Sequence, residues 1–475
     1  MKPFRLAFLC LTVASMLPSV TSCKSDESPF NWTVSDKTAN ATIRLHLNVA
    51  DTRAEDLSTD QEKAIKKVTI HIFNEKQELE ATKNVDITAG EKTVTLEVSK
   101  GLKTLYVVSA KSNVNPSVGI SLSDYQNSVF VSTLANLNTA DGFVMVGKSK
   151  EQMVMVSASK DDLPASNVFD IKLERLVAKA QVKRGNIDGS KFGISFGNAS
   201  FKAFQLNQRM RVLHNGSDVF DSNSSTFVDS NNNGTYDNYS LGAGDYLNAV
   251  TTDFSADGCA YMSENIVSIP KSGNTTFLSI RFATTPLKYY TFGVADQSPV
   301  VSDETPVAAT TYYAVGIQDK ANGMVDYALE SASGHIVTFK SPDDAERYMN
   351  SLNGGETSAI TVSQTESAMK APGVSAEASE GPKFEVITFA DGYAYYRVNI
   401  AHQDTSGDSD KSVIKVMRNK FYKVNINSVT GLGFGSEALL RPGNPEAVLD
   451  AEGHSWISAS VSVADWDVVT QDVDL

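Results

Sequence analysis

Asp229-Ser-Asn231-Asn-Asn233-Gly234-Thr-Tyr-Asp237 carries the densest set of oxygen ligands in the chain. Its carboxylate and amide oxygens fall at positions 1, 3, 5 and 9 with glycine at 6, the spacing with which a loop wraps Ca²⁺. The acid such a loop needs at position 12 is replaced by Ser240, and two of the ligands are neutral amides. A plain Asn- and Gly-rich turn accounts for the same residues. Asp229, Asn231, Asn233 and Asp237 therefore stand as a calcium site or as a turn, and no other cofactor is expected. The histidines at 46, 71, 214, 335, 402 and 454 show no paired ligand spacing, and none adjoins a cysteine, which argues against zinc. No nucleophile elbow, phosphate loop or dinucleotide fingerprint occurs. The chain reads as a non-enzyme. Scattered carboxylates leave a glycosidase as the catalytic alternative, and the isolated Trp32 and Trp456 would serve as sugar platforms or as packing.

Cysteine and arginine offer covalent chemistry of another kind. Lys2 and Arg5 flank the start of an apolar run, Phe4 to Val20, too short and interrupted to span a bilayer as a stable helix. It closes on Val20-Thr-Ser-Cys23, a small residue directly before cysteine, which resembles a lipoprotein cleavage box. Cys23 would then be the first mature residue and carry acyl chains such as palmitate; an ordinary secretory signal cut nearby is the alternative. The following Lys24-Ser-Asp-Glu27 resembles the acidic sorting signals of Bacteroidetes surface lipoproteins. With Cys10 removed and Cys23 acylated, Cys259 is the one cysteine left, so no intramolecular disulfide forms. Cys259 is expected to be a buried small hydrophobe. Arg53-Ala54 lies in a polar stretch, Ala50 to Lys63, of the exposed kind that proteases cut.

Strands must position these groups. In Ala41–Val49, Ile43, Leu45, Leu47 and Val49 fall on one face at strict period 2. Cleavage between Arg53 and Ala54 would release the lipid anchor together with this first strand. If the strand fills a groove in the first domain, its loss leaves an unpaired, apolar slot. At the other end, Ser458–Leu475 reads as a strand pair, apolar at Ala459, Val461 and Val463, then Trp466 and Val468, then Val469, Val473 and Leu475. Such a terminal strand pairs with its own sheet or with the open edge of another molecule.

The 475 residues predict two domains, and 41% hydrophobic with 21% charged residues is the composition of a folded protein. A net charge of -14 excludes nucleic acid as a partner, since phosphate binding needs a basic face. Further strands are predicted at Lys67–Phe73, Lys92–Val98 and Lys103–Lys111, with a helix over Ser121–Leu137. Phe169–Val182 is read as a strand joining the domains. Ser341-Pro-Asp-Asp opens a short helix with a cap, a first-position proline and first-turn acids. Thr357–Gly381 reads as a loop. The expected architecture is mainly β: two antiparallel β-sandwich domains with a few short helices. Its layout is a signal (1–22), a propeptide (23–53), an N-terminal domain (54–175), a C-terminal domain (176–455) and C-terminal donor strands (456–475).

The chain resembles the Bacteroidetes fimbrillins (type V pilins), and within them the shaft subunits of the minor, Mfa-type, fimbriae. Asn419-Lys-Phe-Tyr-Lys-Val-Asn-Ile-Asn-Ser-Val-Thr-Gly431, Val461 to Leu475 and Leu173-Glu-Arg-Leu-Val-Ala-Lys179 carry the resemblance, with Cys23 and Arg53 placed for lipidation and arginine-specific cleavage. The stretch Asn186–Pro382 departs from it. The resemblance implies transthyretin-like sandwiches, export to the outer membrane as a lipoprotein, maturation at the surface and polymerisation into an extracellular fimbrium by donor-strand exchange. It also implies self-association, anchor and tip subunits as partners, a host or bacterial receptor, and a role in adhesion and biofilm formation. A non-polymerising tip, anchor or glycan-binding surface lipoprotein is the alternative.

Overall fold

The computed structural model describes residues 39–49, 59–88, 91–109, 116–128, 130–132, 137–139, 141–157, 159–213, 235, 239–242, 244–255, 257–267, 269–293, 298–319, 324–353, 384–403, 412–441, 444–449 and 457–465. The protein is mainly β, as its alternating sequence predicts, and the described residues include three short α-helices.

The first sheet is built from β1 (Ala41–Val49), β2 (Lys67–Phe73), β3 (Leu79–Asp86), β4 (Thr93–Val98), β5 (Gly101–Ser109), β6 (Met145–Lys148), β7 (Gln152–Val154) and β8 (Val168–Arg175). Its strand order is β3-β2-β5-β6-β8-β1-β4, with β7 also paired to β5. In β8 the apolar Phe169, Ile171 and Leu173 are buried and Asp170, Lys172 and Glu174 exposed, the signature of a sheet with one wet face. Between β1 and β2 lies α1 (Asp60–Lys63), and α2 (Leu122–Ser128) packs Tyr125 against His71 and Phe73 of β2.

The helix expected over Ser121–Leu137 stops at Ser128. Ser121 caps it, accepting from the Asp124 N–H at 3.0 Å, but Phe130–Ser132 leaves the helix to pair with Arg209–Arg211. Phe-Val is strand-favouring, and tertiary pairing decides the outcome.

Phe169–Val182 is extended, as read, but divides at Leu176 into β8 and β9 (Val177–Arg184). Burial changes at that point from one face to both: Ala178, Ala180 and Val182 enter a hydrophobic cluster on one side, while Lys179 and Gln181 bond to Glu62 and the Asp257 carbonyl on the other. β9 is also interior to a second sheet. That sheet runs β11-β9-β16-β17, where β10 is Ile194–Phe204, β11 Ala260–Ser263, β12 Phe277–Pro286, β13 Tyr312–Asp319, β14 Glu385–Phe389, β15 Tyr393–Asn399, β16 Lys420–Val429 and β17 Ile457–Asp465. A third sheet is centred on β10, β12 and β15, and β13 pairs with β14 in a fourth.

Most pairings are antiparallel; the long parallel ladders, of six residue pairs each, join β1 to β8 and β9 to β16. One hydrophobic cluster gathers Ile43, Leu45 and Leu47 with β2, β5 and β8, and takes in Met210, Val212 and Leu213 from later in the chain. A larger cluster runs from Ala178 to Leu440. A small third one lies under α3 (Pro342–Asn353), whose N-terminus forms as its sequence predicts, Ser341 Oγ accepting from the Asp344 N–H at 3.4 Å.

Candidate functional site

β1 is an interior strand. It runs parallel to β8, from Arg44 opposite Val168 to Val49 opposite Leu173, and antiparallel to β4, from Ala41 opposite Val98 to His46 opposite Thr93. Ile43, Leu45 and Leu47 are wholly buried, Val49 is half-buried, and Asn48 is exposed. Three aliphatic side chains at about 1.5–3 kcal/mol each amount to roughly 5–9 kcal/mol of gross burial. Removing β1 would uncover Val94, Val98, Phe169 and Ile171 of the same cluster and leave two unpaired ladders facing each other. A gap of this kind exposes unpaired backbone groups and an apolar floor that an extended strand with a matching apolar face can cover.

The chain after β1 passes through residues 50–58, so Arg53 and Ala54 lie outside the described residues. It resumes at Thr59, which closes a capping box on α1: the Thr59 N–H donates to Glu62 Oε2 at 2.7 Å, and the Glu62 N–H to Thr59 Oγ1 at 3.3 Å. Glu62 is wholly buried. Lys179 of β9, equally buried, donates Nζ to both carboxylate oxygens at 3.1 Å, and the Tyr261 hydroxyl of β11 donates to Oε1 at 2.9 Å. Arg175 Nε, at the end of β8, donates to the Glu62 carbonyl at 2.8 Å. Burial lowers the Lys179 pKa, against the Glu62 carboxylate that raises it, while burial and Glu62 both raise that of Tyr261. This cluster ties α1 to the point where the two larger sheets meet.

Sequence reasoning missed the cluster. The Thr59-Asp-Gln-Glu62 box was its one local sign, because Lys179 lies 117 residues away.

The C-terminal strand β17 sits at the edge of its sheet, antiparallel to β16, with Ala459 opposite Ile426, Val461 opposite Val424 and Val463 opposite Tyr422. Val424, Tyr422 and Ile426 are buried. Trp466, Val468, Val469, Val473 and Leu475 lie outside the described residues, as do Cys23 and the loop of Asp229, Asn231, Asn233 and Asp237. Among the described residues no group of three or more His, Cys, Asp or Glu is placed to hold a metal ion, and no helix is long and apolar enough to cross a membrane. Cys259 is only half-buried, so the expectation of a core residue is corrected. It lies in the turn leading into β11, its Sγ 3.7 Å from the Ser255 carbonyl, where burial pushes the thiol pKa up to about 12.

Two family models match the chain. That of the major fimbrial subunit protein FimA covers residues 39–192, and that of the C-terminal region of fimbrillin, the type IV major fimbrial subunit protein, covers residues 387–472. Together they span half of the chain. The first takes in β1, α1, β8 and β9; the second takes in β16 and β17. Among solved structures, a fimbrilin (FimA) from Porphyromonas gingivalis W83 is similar at 18% identity and a TM-score of 0.45, over 91% of this chain and 99% of its own. The tip fimbrial protein Mfa3 from Porphyromonas gingivalis, truncated at its C-terminus, is similar at 13% identity and a TM-score of 0.39, over 90% and 100%. No curated protein matches the chain.

Proposed function

The chain belongs to the fimbrillin family, and from that premise we propose that it polymerises by exchanging β1 for the C-terminal strand of a neighbouring copy. As a fimbrillin it is a subunit of a cell-surface fimbrium. In the proposed sequence of events it is exported as a lipoprotein acylated at Cys23 and held in the outer membrane. An arginine-specific protease then cuts between Arg53 and Ala54. Residues 23–53 depart with β1, and Val461, Val463, Trp466 and Val468 of the next copy enter the slot. The assignment extends to a shaft role of the Mfa type, with anchor and tip subunits completing a fibre that supports adhesion and biofilm formation.

The interior position of β1 is the observation that carries this reading. A strand buried between two partners, followed directly by an arginine-bearing polar stretch, is an element whose excision opens a slot of its own shape. About five apolar side chains entering that slot would regain on the order of 10 kcal/mol gross, less the cost of ordering the tail. The Glu62 cluster supports the reading too, since it fastens the chain from Thr59 onward without help from β1.

The N-terminus and intact mass of the protein sheared from cells test the proposal. A start at Ala54 supports it; a dominant species still acylated at Cys23 overturns it. One observation favours a second reading. β17 is already paired within its own sheet, as a tip or anchor lipoprotein that does not lend its strand would have it.

A further inference from the structure

β1 outruns its parallel partner. The ladder with β8 begins at Arg44 opposite Val168, so Thr42, whose backbone groups face the same edge as those of Arg44, has no strand beside it. Two side chains take the place of a strand. Ser157 Oγ accepts from the Thr42 N–H at 2.9 Å, and Asn167 Nδ2 donates to the Thr42 carbonyl at 2.9 Å. Asn167 is wholly buried at the end of the turn that leads into β8. Its amide cannot rotate end for end. Oδ1 is claimed by the Met155 N–H at 2.8 Å, which requires an acceptor, and Nδ2 gives a second bond to the Met155 carbonyl at 2.7 Å. Toward the slot, Asn167 can offer only a donor.

We propose that Asn167 makes the slot directional, admitting a second copy's C-terminal strand only in the orientation of β1, parallel to β8, and far enough to cover the place of Thr42. This inference rests on the strand-exchange reading. An extended residue presents its N–H and C=O on one edge, in an order fixed by chain direction. A strand running as β1 does brings a carbonyl to Asn167 Nδ2 and an N–H to Ser157 Oγ. A reversed strand brings an N–H against the amide N–H, so two buried donors face each other with no acceptor. A strand that stops short leaves the Asn167 donor buried and unmet. The slot walls themselves do not choose, because β4 and β8 run in opposite directions and offer ladders to a strand of either sense.

Disulfide trapping in the assembled polymer reads the direction. In the full chain carrying Cys259→Ser, single cysteines are stepped through the tail from Ser460 to Thr470 and combined with Thr93→Cys, Thr95→Cys or Glu97→Cys on β4. The expected result is that the favoured partner moves from Glu97 toward Thr93 as the tail cysteine moves toward the C-terminus, by about tenfold over the reverse order, the scale of one lost buried hydrogen bond. The reverse order in the otherwise unchanged chain overturns the inference and leaves strand exchange standing. No tail-to-β4 disulfide at all overturns the exchange reading, and this inference with it. Asn167→Asp retains an acceptor for the Met155 N–H but offers the strand no donor. Because a carboxylate there meets the N–H of a reversed strand, the preference should vanish or invert, whereas Ser157→Ala, which spares Asn167, should keep the order. An Asn167→Asp polymer with the full preference also overturns the proposal.

Discussion

Lys179→Met should cost this protein about 3–5 kcal/mol, the penalty for stranding one member of a buried ion pair. The structure puts the value near the lower end. With Lys179 gone, the Glu62 carboxylate still accepts from the Tyr261 hydroxyl at 2.9 Å and the Thr59 N–H at 2.7 Å, so it loses its cation but not its hydrogen bonds. The lysine also leaves the ring of Phe421, 4.9 Å from Nζ, where methionine packs equally well. Adding Glu62→Leu to Lys179→Met removes the stranded charge and should recover part of the loss, less what the Tyr261 hydroxyl and the Thr59 N–H forfeit with their acceptor. Urea unfolding of Lys179→Met, Glu62→Leu and the double variant at pH 7 closes a double-mutant cycle. Hydrogen exchange adds a local readout: amides of Gln61–Ala64 should lose protection first in the single variant, since α1 has only 4 residues and little stability of its own. A single-variant cost below about 1 kcal/mol, or a double variant as unstable as the sum of its parts, would refute the argument that this pair holds α1 in place.

Three other outcomes follow from the same geometry. Burial lowers the His71 pKa from 6.5 to about 4, so the unfolded chain takes up a proton that the native one refuses. Stability should be flat in this term above pH 6.5 and fall by about 3 kcal/mol as pH drops toward 4; His71→Phe should remove that slope in a pH series of denaturation curves. Leu45→Ala should destabilise the uncut precursor by about 2–5 kcal/mol, whereas the subunit sheared from cells making this variant should be as stable as the unsubstituted one; a loss of the same size in the sheared subunit would show that β1 is still in place. Deleting Val461–Leu475 should abolish polymer ladders on gels run without boiling, and unchanged ladders would remove the tail from the assembly scheme.

Local signals suffice where a single face or a cap decides the structure. Ile43, Leu45 and Leu47 alternate strictly, and β1 appears from Ala41 to Val49 as the pattern predicts. Ser341 and Pro342 start α3 by chemistry contained in four residues. Non-local partners were not legible. Lys179 and Gln181 stand in β9 among apolar residues, and only the fold shows that both strand faces are buried and that Glu62 and the Asp257 carbonyl receive those side chains. Asn167 looks like a turn residue, and its reach to Thr42 spans 125 positions. Cys259 is of a residue type that suggests the core, and its place in the turn before β11 leaves it half-buried. The helix assigned over Ser121–Leu137 was cut short by a strand partner some 80 residues on, which no window of local periodicity contains.

The parallel ladder between β1 and β8 also sets a timetable. Residues 41–49 emerge early from any N-to-C export route, but the strand they pair with spans residues 168–175. Until roughly the first third of the chain has arrived, β1 can reach β4 but not β8, and closing so long a loop is slow. The first sheet is thus completed late, by a segment that has waited exposed since the start. Once keyed in, β1 can leave only by breaking two ladders at once, so an uncut subunit is held shut by the rate of strand departure as well as by its equilibrium stability.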